Sequence, residues 1–290
     1  MKRIFALITV LVLFCACTPQ KTDKIKITAS LFPQYDFLCQ IAGDRVEITL
    51  LLPYGMESHN YEPSVKDIKA VRQSDLFVFT GENMEPWASG LIEETHALDL
   101  SKCVEECEEH HEGHRHEGAD PHIWTSPVNA MKMVNAIVEE LCRLDEKNAE
   151  LYRKNAEKYL EELFLLHEDF LELSQKAEGT VFCHGGKFSL TYLQHEYDLE
   201  FMAAYDSCSE SAEPSARRMA DMVEIINSNA KVVYYEELNT PRIAQALALE
   251  TGSEMLLLHS CHNVSRDEAG ETYLSLMRKN LENLERGIVC

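Results

Sequence analysis

The sequence is poor in positive charge: 27 Lys and Arg stand against 49 Asp and Glu in 290 residues, a formal net charge of −22. That deficit argues against a nucleic-acid partner, whose phosphates would be repelled. No Cys-x-x-Cys pair occurs, which speaks against a thiolate zinc ribbon. No His-Glu-x-x-His occurs either, so the common zinc-hydrolase helix is missing. Beyond the N-terminus no apolar run approaches the roughly 20 residues that a membrane-spanning helix needs. No internal repeat proves a duplication.

The hydrophobic content of 45% and charged content of 26% are those of a globular protein long enough for two domains. Lys2 and Arg3 precede a short apolar run at 4–14, the pattern of an export signal. Phe14-Cys15-Ala16-Cys17 then resembles a bacterial lipobox, with Phe14 where Leu is usual, and makes Cys17 the lipidated residue. Residues 1–17 read as a lipoprotein signal and 18–24 as a polar tether. The anchor places the protein at the extracytoplasmic face of the cell membrane. Eight further cysteines follow, Cys39, Cys103, Cys107, Cys142, Cys183, Cys208, Cys261 and Cys290. An exported chain can pair some of them, but spacing does not give the connectivity. Cys103 and Cys107 can be a disulfide, soft-metal ligands or idle thiols.

Alternating and β-branched stretches predict strands at 25–30, 46–52, 75–80 and 97–100. Helices are predicted at 32–41, from Glu62-Pro63-Ser64 through 71, and at 85–94. Residues 101–120 have no apolar periodicity and carry His110, His111, His114 and His116 among glutamates. They read as a solvated loop that also binds metal loosely. Helices follow at 126–144 and 146–175, the second about 45 Å long and suited to a rigid strut. Strands recur at 180–183, 200–205, 232–235 and 255–258. Helices are predicted from Gly185-Gly186 to 197 and at 214–227, 241–250 and 266–285. The β-α order implies an α/β fold of two similar lobes, 25–125 and 179–290, each with a mainly parallel four-stranded sheet. The helices of 126–178 join them.

Ligands in open α/β sheets bind past the carboxyl ends of the strands. His184 and His259 directly follow predicted strands of the second half. His59 lies in the loop after a strand of the first half, and His122 in the loop entering the long helices. A cleft between lobes would receive two histidines from each side, and four imidazoles suit tetrahedral Zn²⁺. His262 competes with His259, which is preferred as the first past the strand. Glu237 or Glu62 could orient a ligand imidazole through its second nitrogen. His96, His167 and His195 read as ordinary surface or end positions, and Trp87 and Trp124 as packing residues.

In order, Ala29-Ser30-Leu31-Phe32-Pro33-Gln34-Tyr35-Asp36-Phe37, Ile41-Ala42-Gly43-Asp44, His59-Asn60-Tyr61-Glu62-Pro63-Ser64, Gly81-Glu82-Asn83-Met84-Glu85-Pro86-Trp87, Asp120-Pro121-His122-Ile123-Trp124 and Phe182-Cys183-His184 resemble the metal-binding subunits of bacterial ABC-type zinc/manganese importers. The resemblance covers most of 25–265. It implies two lobes on a rigid backbone helix, a metal in the cleft, and an ATP-driven permease as partner to a monomeric receptor. His59, His122 and His184 fall on family ligand positions. Many manganese members have Glu at the third, so His184 favours zinc. The fourth position is commonly Asp or water, and Leu258-His259-Ser260-Cys261-His262 stands there. The acidic His-rich loop is typical of zinc members.

The expectation is therefore a non-enzymatic receptor that captures Zn²⁺ as cargo and delivers it to a permease. Its binding should weaken as pH falls through the range of an ordinary histidine, near about 6.5. The rivals are a manganese or iron subunit of the same family, a zinc hydrolase with Glu62 or Glu237 as base, and a zinc-binding adhesin or storage lipoprotein.

Overall fold

The computed structural model describes residues 24–59, 61–105, 107, 119–205, 214–229 and 231–288. Strands β1 (Lys26–Ala29), β2 (Glu47–Leu50), β3 (Leu76–Phe79) and β4 (Ala97–Asp99) form one sheet in the order β2-β1-β3-β4. Strands β5 (Val181–His184), β6 (Glu200–Ala203), β7 (Val232–Tyr235) and β8 (Glu254–Leu257) form a second in the order β6-β5-β7-β8. Every pairing is parallel. In both sheets the chain steps to one side of its first strand and then crosses to the other. The strand ends at that reversal, β1 with β3 and β5 with β7, open the crevices in which α/β folds bind ligands. The expected pair of parallel four-stranded sheets is what forms.

Helices α1 (Phe32–Ala42), α2 (Val65–Gln73) and α3 (Ser89–Ile92) connect the first sheet. Helices α4 (Pro127–Leu144) and α5 (Ala149–Lys176) follow it, and α6 (Thr191–Glu196), α7 (Ala216–Ser228), α8 (Arg242–Thr251) and α9 (Tyr273–Glu285) belong to the second half. Their starts are chemically marked. Ser64 and Asp67 close a capping box on α2, and Ser126 caps α4 with Pro127 in its first turn. The 28-residue α5, about 42 Å long, buries Tyr152, Tyr159, Leu163, Leu166, Phe170 and Leu173 on one stripe.

Several helices are shorter than their sequence patterns predict. The stretch after Gly185-Gly186 stays irregular until Thr191, because two glycines are poor helix formers and the segment bends past the sheet end. A Cβ on Gly185 would lie 2.6 Å from Ala244 Cα in α8, so only glycine lets β5 leave the sheet there. The predicted helix 266–285 is a 3-10 turn, Arg266–Glu268, then α9 from Tyr273, interrupted around Gly270. The predicted helix 85–94 divides likewise into the 3-10 turn Pro86–Ala88 and α3.

One apolar cluster runs through both halves, from Ile27, Phe37 and Ile137 through Tyr152, Leu163 and Phe170 to Leu193, Tyr234 and Tyr273. The halves therefore share a core along α5. Buried polar bonds cross the same seam. Asp36 of α1 accepts from the Tyr273 amide at 3.0 Å and from the Tyr159 hydroxyl at 3.3 Å. Trp124, fully buried, donates its indole N–H to the Ser260 carbonyl at 2.7 Å, and the Tyr273 hydroxyl donates to the Trp124 carbonyl at 2.7 Å.

Trp124→Phe keeps most of the volume but strands the Ser260 carbonyl, and should cost about 1–3 kcal/mol. Trp124→Ala adds a cavity and should cost about 3–5 kcal/mol. Urea unfolding midpoints measure both. An unchanged midpoint for Trp124→Phe would show that the indole bond does not hold the halves together.

Candidate metal centre

His59 is carried by the loop after β2, and His122 by the turn before α4, where the 3-10 helix Ile123–Thr125 begins. Their Nε2 atoms meet at 3.1 Å. A tetrahedral zinc with bonds of about 2.0–2.1 Å sets neighbouring nitrogens about 3.3 Å apart, so this pair stands close to a ligand edge. His262 lines the same small pocket, together with Glu57, Lys187, Ser189, Glu236 and Asn239.

Two hydrogen-bond chains fix which ring nitrogen faces inward. Asp120 Oδ1 accepts from His122 Nδ1 at 2.8 Å and from the His122 amide at 2.7 Å. With Nδ1 carrying the proton, the lone pair of His122 is on Nε2, toward His59. Burial alone would raise the Asp120 carboxyl, but the His122 ring outweighs it and holds the acid below the usual range. On the other side Ser260 donates its hydroxyl to Glu237 and accepts from His262 Nδ1. That again leaves an inner Nε2, which is buried and has no hydrogen-bond partner in the protein.

The fourth expected position differs. His259, preferred from sequence as first past the strand, is turned away from the pocket. Its ring Nδ1 accepts from the Cys261 amide at 2.9 Å, and its backbone is clamped to α9 by both ends of the Asn280 amide. Cys261, at φ 61, takes the left-handed conformation that reverses the chain. The reversal sends His262, rather than His259, back toward His59 and His122. Asn263 fastens the result, donating to the carbonyls of Pro53 and Met56, in the loop that carries His59, at 2.8 Å each.

His184 ends β5 as expected, but its ring packs edge-on against Phe188 and does not line the pocket. Its Nδ1 is buried and without a hydrogen-bond partner. With the side chains so placed, no three His, Cys, Asp or Glu among the described residues are set closely enough to hold a metal ion. Glu237 lies under the site, 3.6 Å from His262 Nδ1 and 3.4 Å from His259 Nδ1. Glu62 is exposed and among the described residues bonds to no histidine. His110, His111, His114, His116 and Cys17 lie outside the described residues, as do Cys208 and Cys290. The six described cysteines, Cys103 and Cys107 included, are thiols. Sequence reasoning passed over Asp120, whose signal was available: an aspartate fixed by Pro121 two residues before a candidate ligand.

Burial, with the neighbouring His122 second, lowers His59 to about 4 even though that residue keeps an exposed face. Burial lowers His184 and His259 to about 4 as well, and takes His262 well below the ordinary value. These rings are neutral at pH 7, which is the ligand form. Burial raises Glu236 to about 8 and Glu237 to about 7, so Glu236 is mostly protonated there and Glu237 only partly ionised. A folded-state histidine pKa below the unfolded value means that the unfolded chain takes up the proton first. Stability of the metal-free protein is therefore predicted to fall as pH drops from about 6.5 toward 4. The share from His184 alone is on the order of 3 kcal/mol. Urea unfolding across that range checks this, and His184→Asn should flatten the slope. An equal slope in the variant would contradict the burial argument.

Known proteins can now be set beside this geometry. The family profile described as ZnuA, zinc-uptake complex component A periplasmic, matches residues 27–287. The chain is 35% identical to the zinc-binding lipoprotein AdcA of Streptococcus pneumoniae, over 99% of this chain and 61% of that protein. It thus spans under two thirds of that relative's length. It is 32% identical to the high-affinity zinc uptake system protein ZnuA of Bacillus subtilis, over 93% of this chain and 89% of that one. The Zn(II)-bound ZnuA-like domain of Streptococcus pneumoniae AdcA superposes with a TM-score of 0.77 at 31% identity, covering 91% of this chain and 99% of that domain. With its two parallel sheets in the same order and a profile match from β1 to the end of α9, the chain belongs to the ZnuA family.

Proposed function

We propose that this protein is the extracytoplasmic zinc receptor of an ABC-type importer. It captures Zn²⁺ as cargo between its halves and hands it to a membrane permease driven by an ATPase. The observation that carries the reading is the 3.1 Å approach of His59 and His122 Nε2 in a pocket shared with His262. Imidazole is a borderline donor suited to zinc, whereas manganese is better served by carboxylate oxygen. The assigned ligands are His59, His122 and His262. His184, whose buried Nδ1 lacks a partner, is the fourth and reaches the ion by turning away from Phe188. Asp120 and the Glu237–Ser260 pair hold the outer nitrogens of two ligands. Cys17 is the lipid attachment site in this reading, supported by the lipoprotein name of the streptococcal relative. The receptor acts as a monomer.

Because the His59, His184 and His262 imidazoles are neutral well below pH 7, zinc does not have to displace protons from them until the solution is more acid than an ordinary histidine would require. Affinity should stay level from pH 8 to about 5 and fall below that, rather than near 6.5.

Competition titration with a zinc chelator tests the assignment. His122→Ala and His262→Ala should each weaken zinc binding by about 100-fold or more, from loss of a ligand. His259→Ala should change it by less than about tenfold, the lower range for an outer partner. The reverse ranking of His259 and His262 would restore the sequence-based assignment. Tight manganese binding without zinc preference would overturn the choice of metal.

A further inference from the structure

Cys107 and Asp120 bracket the His-rich stretch, and they are joined by one backbone bond, Asp120 N–H to Cys107 O at 3.2 Å. The two remaining backbone groups of that pair both go to a side chain from the other half of the molecule. The Cys107 amide donates to Tyr192 Oη at 3.1 Å, and Tyr192 Oη donates to the Asp120 carbonyl at 3.2 Å. Tyr192 is the second residue of α6 and is 6% exposed. Asp120 is the residue whose carboxylate holds His122 by two bonds. The peptide after Asp120 leads into Pro121, which has no N–H and so offers the turn one backbone donor fewer.

We propose that Tyr192 is a positioning residue for metal binding. Its hydroxyl sets the Asp120 backbone, Asp120 sets the tautomer and direction of His122, and the base of the His-rich stretch is thereby tied to the metal pocket. The inference rests on the zinc-receptor reading for its binding consequence. Its structural half, control of the His122 ring by a hydroxyl from α6, stands without metal. The path is short: one hydroxyl, one carbonyl, one carboxylate, one imidazole. Nothing in it needs the hydroxyl to touch the ion.

Tyr192→Phe in the full chain removes the hydroxyl and keeps the ring packed. Two readouts are taken. In the metal-free protein, nitrogen NMR of labelled histidine reports the His122 Nδ1–H. The bond to Asp120 should give a distinct protonated Nδ1 signal in the wild type, and this should broaden or shift toward mixed tautomers in Tyr192→Phe. In chelator competition with zinc alone, the variant should bind about tenfold more weakly, the lower range for loss of an outer-shell partner. Tyr192→Leu, with a similar loss of hydroxyl but poorer packing, should give the same NMR change and a larger loss of thermal stability. A wild-type His122 spectrum in Tyr192→Phe, with zinc affinity unchanged and only the melting temperature lowered, overturns the proposal. Absence of zinc binding by the wild type overturns the zinc-receptor reading instead, and the metal-free spectra still decide the role of Tyr192.

Discussion

The buried turn 260–264 is the constraint on which the pocket of His59, His122 and His262 depends. Ser260 receives the indole proton of Trp124 through its carbonyl and gives its amide and hydroxyl to Glu237. Asn263 donates to the loop that carries His59, and the Val264 carbonyl accepts from Gly55 in that loop at 2.9 Å. The His262 carbonyl accepts from Phe32 at the start of α1. One turn from the second half thus grips the segments that bear His59 and His122. Trp124, Ser260, Glu237 and Asn263 are buried, so a broken member leaves its partner unsatisfied, and the turn is held as a unit. The distance between His59, His122 and His262 follows from that unit rather than from any single loop.

Neutral rings of His59 and His262 in one pocket have two consequences. The lone pairs of His122 and His262 face inward without prior loss of a proton, because Asp120 and Ser260 hold the protons on their outer nitrogens. The surrounding charge is also restrained. Burial keeps Glu236 mostly protonated and Glu237 only partly ionised near neutrality, and Lys187 lines the same pocket. A dication entering there gains less from fixed negative charge than the overall acidity of the chain suggests.

Much of this was legible in the sequence. The alternating strands and the apolar stripe of α5 gave both sheets and the strut, and Asp-Pro-His and the histidine after β2 gave two histidines, His122 and His59, whose rings meet. The rest depended on conformations that local patterns do not encode. His259 lies nearer the strand than His262, and nothing in the residue string indicates that Cys261 adopts φ 61 or that Asn280, some twenty residues on, clamps the His259 backbone. The ring of His184 packs against Phe188, a side-chain direction that spacing does not encode. The shortened α6 departs from the helix expected from Gly185-Gly186 onward, since two glycines are poor helix formers and close approach to Ala244 explains Gly185.

The most direct test is X-ray absorption at the zinc edge, on the chain lacking residues 108–118 and loaded with one equivalent of zinc. Removing that stretch takes away the competing histidines and leaves the pocket. The account predicts a shell of four nitrogen scatterers at about 2.0–2.1 Å with the multiple-scattering pattern of imidazole and no sulfur. A sulfur contribution at about 2.3 Å, or failure of the shortened chain to hold zinc, would contradict an imidazole site between the two halves.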